Sequence, residues 1–301
     1  MVMTALLLAQ AVTALALSWD GKYLAAGFQD GFLRIYDPVS GACLCSRIDQ
    51  DGPVRSLDFS PQGLLLSAGT GRLSVWRPDT LGPEKALPQE KDIGVTGAFF
   101  VDRGKQVVSV DAAHRIRLWY FDKRKLKREE RFTGVDVNLE PACACAPDSG
   151  PWFFVGYQGW NAEVWNIEQW KVERTFEVYS PVKRHACVFS GDGKILAFDE
   201  DETVYLYLSG SWKLLATVEP GDTATAIAFN RPGTTLIIGT AGGMIGAWDI
   251  AKNEKLVEFD AGRGRVNALA VGEVVYAGCE QGLCILPLAL EGEQEPQQPE
   301  K

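Results

Sequence analysis

Few residues in this chain are equipped for chemistry. Only two histidines, His114 and His185, occur in 301 residues, too few to build an imidazole metal centre. The G-x-S-x-G nucleophile turn, the H-E-x-x-H metalloprotease helix and the G-x-x-x-x-G-K-[ST] phosphate loop are all absent. The GTAGG stretch at 239–243 has the glycines of a phosphate cradle. It leads from strand to strand, however, and not into a helix whose N-terminus would face an anion, so it reads as a hairpin turn. Cys143 and Cys145 alternate and so share one face of a strand, as core thiols would. Cys43 and Cys45 repeat the spacing and form a candidate reactive pair, provided their pKa is depressed. The run DKRKLKREER, residues 122–131, is the one basic concentration; it is either a solvated strand edge or a patch for an acidic partner. No cofactor and no metal are expected.

The elements that must position these residues emerge from an internal repeat. A strand pattern ending in a turn recurs seven times: from Val12, Val54, Val95, Ala142, Ala186, Ala224 and Val266. The apolar residues before the turns are Leu17, Phe59, Phe100, Cys145, Phe189, Phe229 and Val271. Local alternation with period two marks strands and excludes helical solenoids of similar repeat length. A second landmark follows each copy, at Tyr36, Trp76, Trp119, Trp165, Tyr207 and Trp248, with Pro287 in the last. Outer strands are expected at ACLCSRI, LKREERF, KVERTFEV, KLLATVE and KLVEF. The final copy lacks one, and TALLLAQ, residues 4–10, is expected to supply it and close the ring.

A tryptophan ending a strand, often followed by Asp, resembles the landmark of WD repeats, and the resemblance covers roughly residues 3–290. It implies an all-β fold, a single seven-bladed β-propeller over residues 1–290, followed by a disordered polar tail at 291–301. The family's turn Asp stands at Asp30 and Asp201 but is replaced by Thr70, Ala113, Gly159, Gly242 and Gln281. The Gly-His pair is absent throughout, so the buried Asp–His network of the family is expected to be missing.

The resemblance also implies a binding face around the central channel. Before the turn Asp stand Gln29, Ala112, Gln158, Glu200, Ala241 and Glu280, with blade two lacking the position. Early in each inner strand stand Thr13, Arg55, Thr96, Pro141, His185, Thr225 and Asn267, with Arg184 nearby and Trp160 after the turn of blade four. Arg55, Trp160 and Arg184 lead this list because arginines and aromatics favour interface hot spots.

The expected function is a non-catalytic scaffold or adaptor binding a protein or peptide on that face, monomeric on its own. The alternative is a propeller enzyme or small-ligand binder using the channel. A ubiquitin-ligase substrate receptor is unsupported, since YDPV at Tyr36 and WDIA at Trp248 lack W-D-x-R. A net charge of −9 argues against nucleic acid. No apolar run reaches the length that spans a bilayer, so no membrane partner is expected. The start, MVMTALLLAQAVTALALSWDG, imitates a signal peptide but has no Lys or Arg before Lys22. With seven unpatterned cysteines, this points to a cytoplasmic location.

Overall fold

The computed structural model describes residues 10–88, 93–131, 140–158, 161–177, 186–200 and 202–287. Those residues form seven antiparallel sheets in chain order, six of four strands and a last one of three. Each inner strand packs against the inner strands of both neighbouring blades, and the last inner strand (Val266–Val271) meets the first (Val12–Leu17), so the ring is closed. The chain is therefore a seven-bladed all-β propeller. Of residues 4–10, expected to complete the last blade, all but residue 10 lie outside the described residues, as does the tail at 291–301.

Burial explains why the strands of one blade read so differently. The second strands, such as Leu24–Phe28, Leu65–Gly69 and Thr235–Thr240, are covered on both faces by adjoining blades and are continuously buried. Their sequences are accordingly unbroken runs of apolar and small residues, as expected of a strand buried on both sides. The outer strands, such as Cys43–Ile48 and Lys171–Phe176, lie where the blades diverge and carry charge. Blade two also has an outer strand, Gly82–Leu87, which its composition conceals. Gly82 and Pro83 argue against a strand, yet a proline is tolerated here because an edge strand needs no outward ladder bond.

Seams between blades rest on close approach. A Cβ on Gly27, Gly239 or Gly278 would stand 2.4–2.5 Å from a methyl of Val54, Val266 or Val12, the first inner-strand residue of the next blade. Glycine is needed there because any side chain would hold the blades apart. At the closing seam, the Tyr276 hydroxyl also donates to the carbonyl of Pro38 at 3.2 Å.

Two expectations about the turns are corrected. In blade two, Gly69 pairs with Val54 as Phe28 pairs with Val12, so Thr70 occupies the place of Gln29, and the missing residue is the one after it. In blade three the turn does contain an aspartate, displaced by two positions. Asp111 is buried and accepts from the Ala113 and Arg115 backbone N–H groups and from the Arg115 and Arg117 guanidiniums at 2.9–3.2 Å. His114, in the same turn, stacks on Tyr157 of blade four and is a packing residue.

Candidate functional site at the channel mouth

The channel mouth is built by a repeated irregularity. In six of the seven inner strands the register slips at one residue, leaving Thr13, Arg55, Thr96, Ala142, Thr225 and Asn267 unpaired opposite the second strand. Such a bulge bends the strand and re-aims the side chain it carries, here toward the axis. All six residues line a channel of about 260 Å³. The register places Ala142, and not Pro141, at this position in blade four, because Pro141 pairs with Tyr157.

Four of these side chains stitch one blade to the next. Thr13 donates to Val54 O at 2.6 Å, Thr96 to Pro141 O at 3.4 Å, Thr225 to Val266 O, and Asn267 to Val12 O at 3.0 Å. A short hydroxyl or amide is what such a bond requires. Blade two departs from the pattern. Its seam is held by Ser56, whose hydroxyl donates to Ala98 O and accepts from Ala98 N–H, both at 3.2 Å. Arg55 is thereby released from structural duty and is exposed, with its guanidinium beside Gly94. It has no hydrogen bond or ion pair among the described residues.

The turn residues expected around Arg55 are in register. Gln29, Gln158 and Glu280 each donate their backbone N–H to the residue entering the inner strand, Ala11, Glu140 and Arg265 respectively, at 3.0–3.2 Å. Glu200 ends the second strand of blade five, Ile195–Glu200, at the equivalent level. Asn267 faces the channel, although its amide is engaged at the closing seam. Trp160, Arg184 and His185 lie outside the described residues, as do Gly159 and Asp201.

Deeper in the ring stand groups that the sequence did not bring together. Cys187 of blade five and Cys143 of blade four line the channel, with Cys145 in the core beside them, and burial pushes the Cys145 and Cys187 thiols up. Raised thiols are poor nucleophiles, which fits a packing role. Burial also raises Cys43 and Cys45, opposite to what a reactive pair needs. At the far end of the channel, Asp58 accepts the Phe100 N–H at 2.6 Å. Burial, with the like charge of Asp148, lifts its carboxyl to about 7. Burial lifts Asp148 to about 6, against the pull of Arg231. Arg231 in turn reaches across the shortened turn of blade seven to donate to Trp19 O. The signal was available as a lone acid inside the apolar strand VRSLDF.

In blade two a buried network of different composition occupies the place where the Asp–His pair was expected to be missing. Trp76 Nε1 donates to the Ser67 hydroxyl at 2.8 Å, and Ser67 donates to the carboxylate of Asp49, which precedes the inner strand. Blade three repeats the first step, Trp119 Nε1 to Ser109 at 3.3 Å. No histidine takes part.

No group of three His, Cys, Asp or Glu is placed to hold a metal among the described residues. A concavity of about 630 Å³ opens at the rim between blades five and six and is lined by Leu214, Leu215, Ile250 and other uncharged residues.

Known proteins show the same repeat. The model of the WD domain, G-beta repeat, matches residues 7–37 and 41–77, which span blade one and most of blade two. Over 70 residues, 23% of this chain and 9% of the relative, the chain is 40% identical to a ribosome biogenesis protein BOP1 homolog of Chlamydomonas reinhardtii. It is 28% identical over 42% of its length to a pre-mRNA-processing factor 19 homolog of Arabidopsis thaliana, covering 24% of that protein. Human WD repeat and SOCS box-containing protein 1 is 29% identical over 35% of the chain and 25% of its own length. The chain thus spans about a quarter or less of these relatives. Seven blades, six of four strands and a last one of three among the described residues, with a tryptophan near the end of the third strand in four of them and repeats matched in the first two, support membership of this chain in the WD-repeat β-propeller family.

Proposed function

We propose that the chain is a non-catalytic adaptor whose partner, a protein or peptide, docks across the channel mouth and is anchored by Arg55. Propellers of this family generally hold proteins together, which supports the class of function. The observation that carries the site is the exception in blade two. Where four other blades spend the bulged residue on the next seam, blade two moves that bond to Ser56 and presents a free guanidinium at the rim. A rigid platform carrying a free arginine suits a planar, bidentate acceptor such as a carboxylate. Gln29, Gln158, Glu200 and Glu280, with Trp160, Arg184 and His185, complete the proposed face. Seven cysteines without disulfide spacing support a cytoplasmic location, and the net charge of −9 supports protein over nucleic acid as partner.

The test is quantitative affinity capture with wild type and Arg55→Glu, each shown to melt alike. Partners recovered by wild type and depleted at least tenfold by the variant support the reading. Equal recovery of every partner overturns Arg55 as the anchor.

A further inference from the structure

The outer edge of blade three carries charge that the fold does not use. Its outer strand, Lys125–Arg131, is seven residues long, and Lys123 and Arg124 lead into it. Two other charged outer strands neutralise themselves. Lys171 pairs with Glu173 in blade four at 3.5 Å, and Lys255 with Glu258 in blade six at 2.7 Å. In blade three the Glu129 carboxylate is taken inward by Arg117, away from its own strand. Lys123, Arg124, Lys125, Lys127 and Arg128 then have no ion pair among the described residues.

These cations are also held in place. Lys127 is the bulged residue of the strand, skipped in the register between Leu126 and Arg128. Its ammonium donates to Gln106 at 3.0 Å and lies 5.2 Å from the ring of Tyr120, while Lys123 lies 5.4 Å from the same ring. Lys125 pairs with Tyr120 across the strands, and Arg128 sits 5.9 Å from Trp170 of blade four. The result is a basic strip along the cleft where blades three and four diverge.

We propose that this strip is a second docking surface, specific for an extended acidic segment of a partner polypeptide. Two features favour a polypeptide over a nucleic acid. The strand is an edge, so its outward N–H and C=O groups are open to a strand that pairs alongside it. Tyr120, moreover, already has two lysine ammoniums against its ring, which a stacked base would have to displace. Lysines on an edge repel neutral and basic strands. The same charges select a strand with alternating carboxylates. A longer polyanion would run onto a surface whose overall charge is −9.

The experiment uses the whole chain and fluorescence anisotropy. The probe is a labelled peptide alternating Glu and Val, compared with the same peptide alternating Gln and Val and with a single-stranded oligonucleotide. Wild type should bind the acidic peptide, at least tenfold more tightly than the Gln peptide, with affinity falling as salt rises. A Lys123→Glu, Lys125→Glu, Lys127→Glu variant should lose at least tenfold, and the triple Gln variant an intermediate amount. Lys213→Glu, on the outer strand of blade five, should bind as wild type does, which separates this strip from outer-edge charge in general. Equal binding of the Gln peptide, or no loss in both triple variants, overturns the proposal. Tighter binding of the oligonucleotide with the same lysine dependence overturns it in favour of nucleic acid.

Discussion

Replacing Asp58 by Asn should stabilise the protein at alkaline pH and do little at acid pH. Burial and the like charge of Asp148 lift the Asp58 carboxyl to about 7, against an ordinary value of 3.8. A folded-state pKa above the unfolded one means that the contribution to stability is fully present below pH 4. It is lost as pH rises through 7, because the folded protein must then hold a charge that the unfolded chain solvates freely. A displacement of about three units corresponds to a ceiling of about 4 kcal/mol. Residual solvent access to the side chain reduces this to about 1–2 kcal/mol. Asparagine keeps an oxygen to accept the Phe100 N–H, now 2.6 Å from the carboxylate, and never ionises. Urea denaturation of Asp58→Asn and wild type at pH 8 and pH 4.5 reads the difference directly. The expected gain at pH 8 is about 1–2 kcal/mol, or about 2–4 °C in Tm for a chain of this size. At pH 4.5 the gain should shrink to less than half. Equal stability at pH 8, or the same gain at both pH values, would refute the reasoning, since the effect must follow ionisation.

Other substitutions probe the seams and the buried network. Ser67→Ala removes a partner from both Asp49 and Trp76, and should cost about 2–3 kcal/mol in urea denaturation. Because burial already holds Asp49 above its ordinary value and the lost hydroxyl favoured its charged form, that cost should grow with pH. Gly278→Ala places a Cβ 2.5 Å from Val12 at the closing seam and should destabilise by about 1–3 kcal/mol. A neutral result there would show that the seam yields more easily than the packing implies. Titration of native thiols at neutral pH should label Cys43 first and leave Cys143, Cys145, Cys279 and Cys284 unmodified until denaturant is added, since these four are buried. Rapid modification of the channel thiols would contradict the packing assigned to them.

The repeat was open to a reading of the sequence because each blade solves the same local problem. A half-buried inner strand, a fully buried second strand, a third strand ending in a large aromatic and a charged edge leave a pattern within about forty residues. Period and turn residues alone therefore announce seven blades, and the equivalence of Gln29, Gln158 and Glu280 follows by counting. Counting failed where one residue was gained or lost. Thr70 and Ala142 were displaced by one place, and Asp111 was overlooked two positions from the expected turn site. The outer strand of blade two was hidden by Gly82 and Pro83, residues that only an unpaired edge accepts.

What the sequence by itself determined was the chain's local order: strands, turns, blade number and the residue types available at each rim. What only the tertiary structure decided was which of those residues meet. Closing the ring sets Asp148 of blade four within electrostatic reach of both Asp58 of blade two and Arg231 of blade six. It gathers Cys187 with Cys143 and Cys145, and it shows that Ser56 holds the seam that frees Arg55. The physical reason is that a strand's own hydrogen bonds and alternation are set by neighbours in sequence. The occupancy of a channel at the common axis is set by the geometry of all seven blades together.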